Sequence, residues 1–282
     1  MNRPTYYKAL KWAFLLLKEK QLDEQAAEYI LLERQKWTKT DLIFKERSEM
    51  PVAAWQQFQA DVATLLTGQP AQYILGQAWF YDLPLKVTPA TLIPRPETEL
   101  LVAWLLESTP ATKALRILDV GTGSGAIALA IKHELPASDV WASDISEAAL
   151  AVAQENAQHL QLAIHFRQGD LLAAVDNEQF DIIISNPPYI SRSETRVMDY
   201  SVKNFEPQQA LYADNQGLAL YQQLAQTVAA HLKPAGQLFL EFGYQQAASI
   251  REIYQQALPQ ATIQIKQDLA GWPRMARIKL PD

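Results

Sequence analysis

The chain has 282 residues, 49% of them hydrophobic, enough for a core of ordinary size in one large domain, or in a large domain with a small companion. A net charge of -6 argues against a protein that wraps nucleic acid through a broadly basic surface. With no cysteine, disulfides, zinc thiolates and a cysteine nucleophile are excluded together, and His133, His159, His165 and His231 show no metal-ligand spacing and read as structural or surface residues.

The first 75 residues carry helical periodicity and almost no glycine. Tyr6, Leu10, Ala13, Phe14 and Leu17 share one face, and Ala26, Ala27, Ile30, Leu31 and Arg34 continue the pattern after Asp23 as a cap. The apolar run 12–17 is too short for a signal core, is followed at once by Lys18-Glu19-Lys20, and has no small-residue cleavage site. No later stretch approaches membrane-spanning length, so a soluble, cytoplasmic protein is expected. Residues 41–44 suggest a short third helix. Pro51, at a first helical position, opens a longer one through Val52, Trp55, Phe58, Val62 and Leu65 that Gly68 stops, and residues 69–75 add a last turn. The region reads equally as an independent helical bundle and as a partner-recognition module attached to an enzyme.

Residues 77–87 change character: Ala78-Trp79-Phe80-Tyr81, a turn at Asp82-Leu83-Pro84, then Leu85-Lys86-Val87 predict a β-hairpin. In Ile93-Pro94-Arg95-Pro96-Glu97-Thr98-Glu99 two prolines hold an extended approach, and Pro96 starts a helix through Leu100, Val102, Trp104 and Leu105. Glu97 and Glu99 suit either a favourable place against the helix amino end or direct ligand contact. From Leu115 onward strands at 116–120, 140–144, 164–168, 180–185, 236–242, 262–266 and 275–280 alternate with helical segments, the signature of a doubly wound α/β domain. Only residues 267–274 separate the last two strands, so these form an antiparallel hairpin.

Two stretches of this region carry chemistry. The first is Asp119-Val120-Gly121-Thr122-Gly123-Ser124-Gly125, directly after a strand and before the helix 126–133. Its glycines permit a tight turn and close ligand approach, and its G-x-G-x-G spacing differs from the G-x-G-x-x-G of dinucleotide sites. Asp144 ends the next strand, where a carboxylate accepts both hydroxyls of a ribose. Asp170, after the following strand, suits an adenine amino group, with Leu171 against the ring, or else a helix cap.

The second stretch is Asn186-Pro187-Pro188-Tyr189, at the carboxyl end of the strand 180–185, where functional groups of open α/β sheets collect. Its prolines remove two backbone donors and fix two φ angles, leaving a stiff, extended platform of carbonyl acceptors. Asn186 adds an amide and Tyr189 an aromatic face, together suited to a planar group that donates two N–H bonds while stacking on a ring. An ordinary strand-ending turn is the plainer reading.

Taken together, the glycine loop, Asp144 and Asn186-Pro187-Pro188-Tyr189 resemble class I S-adenosylmethionine-dependent methyltransferases that act on a planar amide or amine nitrogen. The resemblance is closest to the release factor glutamine methyltransferases, the HemK or PrmC family. It extends through residues 93–99, Phe205-Glu206-Pro207 with Ala210-Leu211, and Gly271-Trp272-Pro273-Arg274 to essentially the whole chain. Leu171 stands where some members carry a tryptophan beside the adenine. The resemblance implies a helical substrate-recognition domain (1–75), a β-hairpin linker (76–90) and a Rossmann-like α/β methyltransferase domain (91–282) ending in an antiparallel hairpin. It further implies S-adenosylmethionine as cofactor, held by Gly121, Thr122, Gly123, Ser124, Gly125, Asp144, Asp170, Leu171 and Asn186, and no metal. The substrate it implies is the Gly-Gly-Gln glutamine of class 1 peptide chain release factors, held at N5 by Asn186, Pro187, Pro188 and Tyr189. Asn186, Pro187 and Tyr189 are then the catalytic residues of a monomer that binds neither nucleic acid nor membrane. Alternatives are an adenine-N6 DNA methyltransferase, which would need a base-flipping target domain, and a methyltransferase of another protein glutamine, such as one in a ribosomal protein. A nicotinamide-dependent oxidoreductase would share the fold but has no use for the Asn-Pro-Pro-Tyr strand end, and a non-catalytic binding protein is a further reading.

Overall fold

The computed structural model describes residues 3–109, 114–196 and 198–282. Two compact units are present, Met1–Gln77 with Asp199–Phe205, and Ala78–Met198 with Glu206–Asp282. No helix among the described residues is long and apolar enough to cross a membrane.

The first unit is built from α1 (Tyr6–Glu19), α2 (Gln25–Gln35), α3 (Lys39–Lys45), α4 (Val52–Leu65) and α5 (Ala71–Leu75). Their ends follow local chemistry. The Thr5 hydroxyl accepts the Lys8 N–H at the start of α1, and Thr38 and Asp41 form a reciprocal capping box at α3. Glu24, not Asp23, holds the cap position of α2, while Asp23 accepts the Gln25 N–H at 2.9 Å. Pro51 stands just before α4 as its cap residue rather than as its first helical residue. The expected apolar faces meet in one core of Leu10, Ala13, Leu17, Ile30, Leu31, Phe58 and Val62. Arg34 crosses that core's edge to the buried Asp61 with two parallel bonds, Nε to Oδ2 at 3.1 Å and Nη2 to Oδ1 at 3.0 Å.

The second unit opens with the hairpin β1 (Gln77–Phe80) and β2 (Leu83–Lys86), whose Phe80, Leu83 and Leu85 are buried in this unit's core. There follow α6 (Pro96–Glu107), β3 (Arg116–Val120), α7 (Ala126–Glu134), β4 (Asp139–Asp144), α8 (Glu147–Leu160), β5 (His165–Gln168) and β6 (Phe180–Ser185). After α9 (Tyr200–Phe205), which belongs to the first unit, come α10 (Asp214–Gly217), α11 (Ala219–His231), β7 (Leu232–Glu241), α12 (Ala247–Ala257), β8 (Thr262–Gln267) and β9 (Pro273–Lys279). The seven strands lie in the order β5-β4-β3-β6-β7-β9-β8, parallel except for β9, which runs antiparallel to both β7 and β8. The terminal hairpin thus inserts its second strand, β9, beside β7. β7 starts at Leu232, earlier than the expected 236, because the pairing with β6 shifts register between Phe180 and Ile182 and absorbs the Lys233-Pro234-Ala235-Gly236 irregularity that hides the strand start in the sequence.

Apolar strands buried on both faces explain this layering. Ile117, Ile182, Ile184 and Phe239 pack toward Leu101, Ile127 and Ile131, whereas Leu118, Ile183, Leu238 and Leu240 pack toward Leu224, Val228 and Ile250. Register then decides what the sheet presents at its carboxyl edge. Val120 is level with Ser143 and with Ser185, and Ser185 with Leu240. The next residue of each strand leaves at the same level: Gly121, Asp144, Asn186 and Glu241. The chain order reverses between β3 and β6, the topological switch point at which open α/β sheets bind ligands.

Candidate active site

The glycine loop turns back over β4, with the Gly121 and Thr122 amides both donating to the Ser143 carbonyl at 2.8 and 2.9 Å. Gly121 (φ 74°) and Gly123 (φ 56°) are left-handed, and a Cβ added at either would meet nothing within 4 Å, so the loop's inner side is open. Behind it lies Asp119, fully buried, whose Oδ2 accepts the Thr122 hydroxyl at 2.6 Å and the Ala128 N–H at 3.2 Å. Burial pushes the Asp119 carboxyl up to about 7, those two hydrogen bonds notwithstanding. The Ser124 carbonyl accepts from Asn156 Nδ2 at 2.9 Å, and the same amide brackets the Lys86 backbone on β2, with bonds of 2.7 and 3.0 Å. The hairpin therefore braces the glycine loop through α8.

Asp144 is half-buried and held at both oxygens, by the Gly123 N–H at 2.8 Å and the Ser146 N–H at 2.9 Å. Each oxygen keeps lone pairs beyond those bonds. Asp170 is exposed; it occupies the cap position of the 3-10 turn Leu171–Val175 but its side chain makes no cap bond. Leu171 follows in left-handed conformation (φ 46°), an uncommon backbone for so large a side chain.

Asn186 donates from Nδ2 to the Thr98 hydroxyl at 3.0 Å, and Thr98 donates in turn to Glu241 Oε2 at 2.7 Å. Thr98 comes from the first turn of α6, a helix aligned on β7 by the edge-on Trp104–Phe239 pair at 5.6 Å. Burial raises the Glu241 carboxyl to about 7, while hydrogen bonding from Thr98 and Asn186 and the charge of Arg274 pull the other way. Among the described residues the Pro187 carbonyl accepts no hydrogen bond. The Tyr189 carbonyl, by contrast, is taken by Gln246 Nε2 at 3.0 Å, so the acceptor platform is narrower than two prolines alone imply. Burial, chiefly, keeps the Tyr189 hydroxyl protonated far above the ordinary phenol range, which removes it as a base. Arg95, whose role the sequence leaves open, pairs with the buried Glu206 carboxylate, which also accepts the Ile93 N–H at 3.2 Å and so fixes the segment before α6.

These groups surround a cavity of about 730 Å³, within the range of small-molecule sites. Gly121, Gly123, Asp144, Asp170, Leu171, Asn186, Pro187 and Pro188 line it, joined by Thr91 and Leu92. Thr122, Ser124, Gly125 and Tyr189 stand outside the lining. The first two are buried and hold the loop from behind, Gly125 makes the close approach to Leu129 and Ala153, and Tyr189 packs against the core. Sequence reasoning singled out no role for Thr98, Glu206 or Glu241. The one available signal was Glu241 itself, an acidic residue inside the apolar run Leu238-Phe239-Leu240-Glu241-Phe242.

Residues 97–205 match the family described as the methyltransferase small domain, and residues 8–76 the PrmC N-terminal domain. The release factor glutamine methyltransferase of Enterococcus faecalis is 46% identical over 271 residues, covering 96% of this chain and 98% of that protein. The protein of the same description from Streptococcus pneumoniae is 43% identical over 237 residues, 84% of each. Among solved structures, a methyltransferase from Pyrococcus furiosus shares the fold with a TM-score of 0.54 at 17% identity, over 79% of this chain and 98% of that one.

Proposed function

The chain belongs to the release factor glutamine methyltransferase family, and we propose that it transfers a methyl group from S-adenosylmethionine to the side-chain nitrogen N5 of the Gly-Gly-Gln glutamine in class 1 release factors. The observation that carries the reading is the commitment of Asn186 Nδ2 to Thr98. Oδ1, which accepts no hydrogen bond among the described residues, is then the acceptor left for a ligand, beside the Pro187 carbonyl on the cavity wall.

The residues present fit S-adenosylmethionine. The space over Gly121 and Gly123, which any Cβ would enter, admits a ligand against the backbone, and the spare lone pairs of Asp144 suit two ribose hydroxyls. Asp170, with no cap bond, suits the adenine amino group, and Leu171 the ring. Thr122, Ser124 and Gly125 serve by shaping the loop. Bound there, the cofactor supplies an electrophilic methyl on its sulfonium sulfur.

The protein's own work is orientation. A carboxamide nitrogen is a poor nucleophile because its lone pair is delocalised. With its two N–H groups donated to Asn186 Oδ1 and the Pro187 carbonyl, the substrate amide is held so that the lone pair lies normal to its plane and points at the methyl donor. Both acceptors also meet the positive charge that develops on nitrogen. Such positioning supplies roughly 7 to 11 kcal/mol in well-oriented cases. Tyr189, expected from the sequence to stack on the amide plane, instead packs its ring against the core outside the cavity lining and is proposed to brace the motif, and the proton leaves to water after transfer.

A glutamine in an extended loop offers little area, whereas a standard interface buries about 800 Å² per partner. The helical unit, matched by the PrmC N-terminal domain, is proposed to supply recognition of the folded factor. The match of residues 8–76 to that domain also weighs against a DNA adenine methyltransferase. The chain is proposed to act as a cytoplasmic monomer. The reading is tested by incubating it with labelled S-adenosylmethionine and an intact class 1 release factor, then mapping the label by mass spectrometry. Methyl on the Gly-Gly-Gln glutamine supports the reading, and methyl elsewhere, or none, overturns it.

A further inference from the structure

We propose that Thr98, with Glu241 as its fixed acceptor, is a positioning residue that sets which end of the Asn186 amide faces the substrate. The inference rests on the proposed role of Asn186 and goes beyond it. A threonine hydroxyl has one proton to give and lone pairs to accept with. Here the proton goes to Glu241 Oε2 at 2.7 Å whenever that carboxyl is ionised, so toward Asn186 the oxygen then only accepts. Only the NH2 end of the amide satisfies it, as the 3.0 Å contact from Nδ2 records. The carbonyl end is thereby turned away from Thr98 and left for the substrate's N–H.

Two of the three groups lie where the molecule tolerates no loose polarity: Thr98 and Glu241 are 4% and 1% exposed. Without the hydroxyl, the two ends of the amide become similar in energy, and an Asn186 flipped by half a turn offers two donors to a substrate that itself only donates there.

A double-substitution cycle separates this from a structural role in α6. Thr98→Val should lower kcat on the intact release factor by roughly 10- to 100-fold, the scale of a misplaced catalytic group, with little change in the Kd for S-adenosylmethionine. In the Asn186→Ala background the same substitution should change kcat less than about twofold, because no amide remains to orient. Thr98→Ser, which keeps the hydroxyl, should restore most of the rate. Glu241→Gln, whose amide can present either end to Thr98, should lose part of it. Equal losses from Thr98→Val in both backgrounds would overturn the proposal, as would a Thr98→Ser variant no better than Thr98→Val. A fully active Glu241→Gln would remove Glu241 from it. Normal turnover by Asn186→Ala alone would instead sink the underlying role of Asn186, a result distinct from these. If Thr98→Val does not fold, Thr98→Ala takes its place in the cycle.

Discussion

Asp144 illustrates how a single carboxylate is prepared before any ligand arrives. Its oxygens are already aimed by the Gly123 and Ser146 amides, so the ribose proposed to bind there would meet an oriented acceptor pair. Hydrogen bonds to a charged group are worth about 1.5 to 3 kcal/mol, so Asp144→Ala should weaken S-adenosylmethionine by roughly one to two orders of magnitude in Kd by calorimetry. Affinity for the release factor should hardly change. An unaltered cofactor Kd would disprove the ribose role. Asp119 and Glu241 make a different prediction. Burial raises both, from 3.8 and 4.5 in the ordinary state to about 7. Between those limits the folded chain holds protons that the unfolded chain has released, so these two groups make stability fall as pH rises through about 4 to 7. Asp119→Asn, which keeps an acceptor for Thr122 or Ala128, should therefore show a smaller drop in Tm between about pH 5 and pH 8 than the unaltered chain. An identical drop would mean that the Asp119 carboxyl ionises normally.

At the scale of elements, the site depends on the segment after Tyr189 being clamped. Ile190 pairs with the chain at Tyr212, its N–H donating to the Leu211 carbonyl and its carbonyl accepting from Ala213, and Gln246 from the start of α12 bridges the carbonyls of Tyr189 and Gln216. α10 closes this clamp with Asn215, Gln216 and Gly217 all left-handed, and a Cβ on Gly217 would lie 2.0 Å from the Tyr189 carbonyl oxygen. Gly217→Ala should thus destabilise the protein by more than about 1 kcal/mol and lower turnover further, by moving the motif itself. A variant with unchanged Tm and kcat would show that this contact is dispensable. The elements themselves were largely legible: β-branched runs gave the parallel strands, and proline and glycine marked the ends of α4, α5 and α6. What the sequence could not disclose was contact across it. Thr98 meets Glu241 only because α6 packs on β7, and Glu241 meets Asn186 only because register places both one residue beyond Ser185 and Leu240. No local pattern encodes either meeting, although an acidic residue in the middle of an apolar strand end was a signal to follow.

For the whole molecule, two units divide the labour proposed for it: one carries the cavity, the other is a helical body with a core of its own. A shortened chain beginning at Gln77 should still bind S-adenosylmethionine, since Gly121, Gly123 and Asp144 lie in the second unit, but should methylate the intact release factor poorly. On a short Gly-Gly-Gln peptide the full chain should lose its advantage. Equal activity of both chains on the intact factor would defeat the recognition role. A change in periodicity near residue 77 is visible in the sequence, whereas the capture of Asp199–Phe205 by the helical unit is not, because a contact between distant segments leaves no local trace. The central claim is that Asn186 holds the substrate amide and not the cofactor's binding energy, and paired measurement of turnover and cofactor affinity in Asn186→Ala tests it most directly. Removing one preorganised partner costs about 2.7 to 4 kcal/mol of barrier, so turnover should fall by roughly 10²- to 10³-fold while the Kd for S-adenosylmethionine stays within a few-fold. Near-normal turnover, or a loss that appears in cofactor affinity instead, would contradict the account.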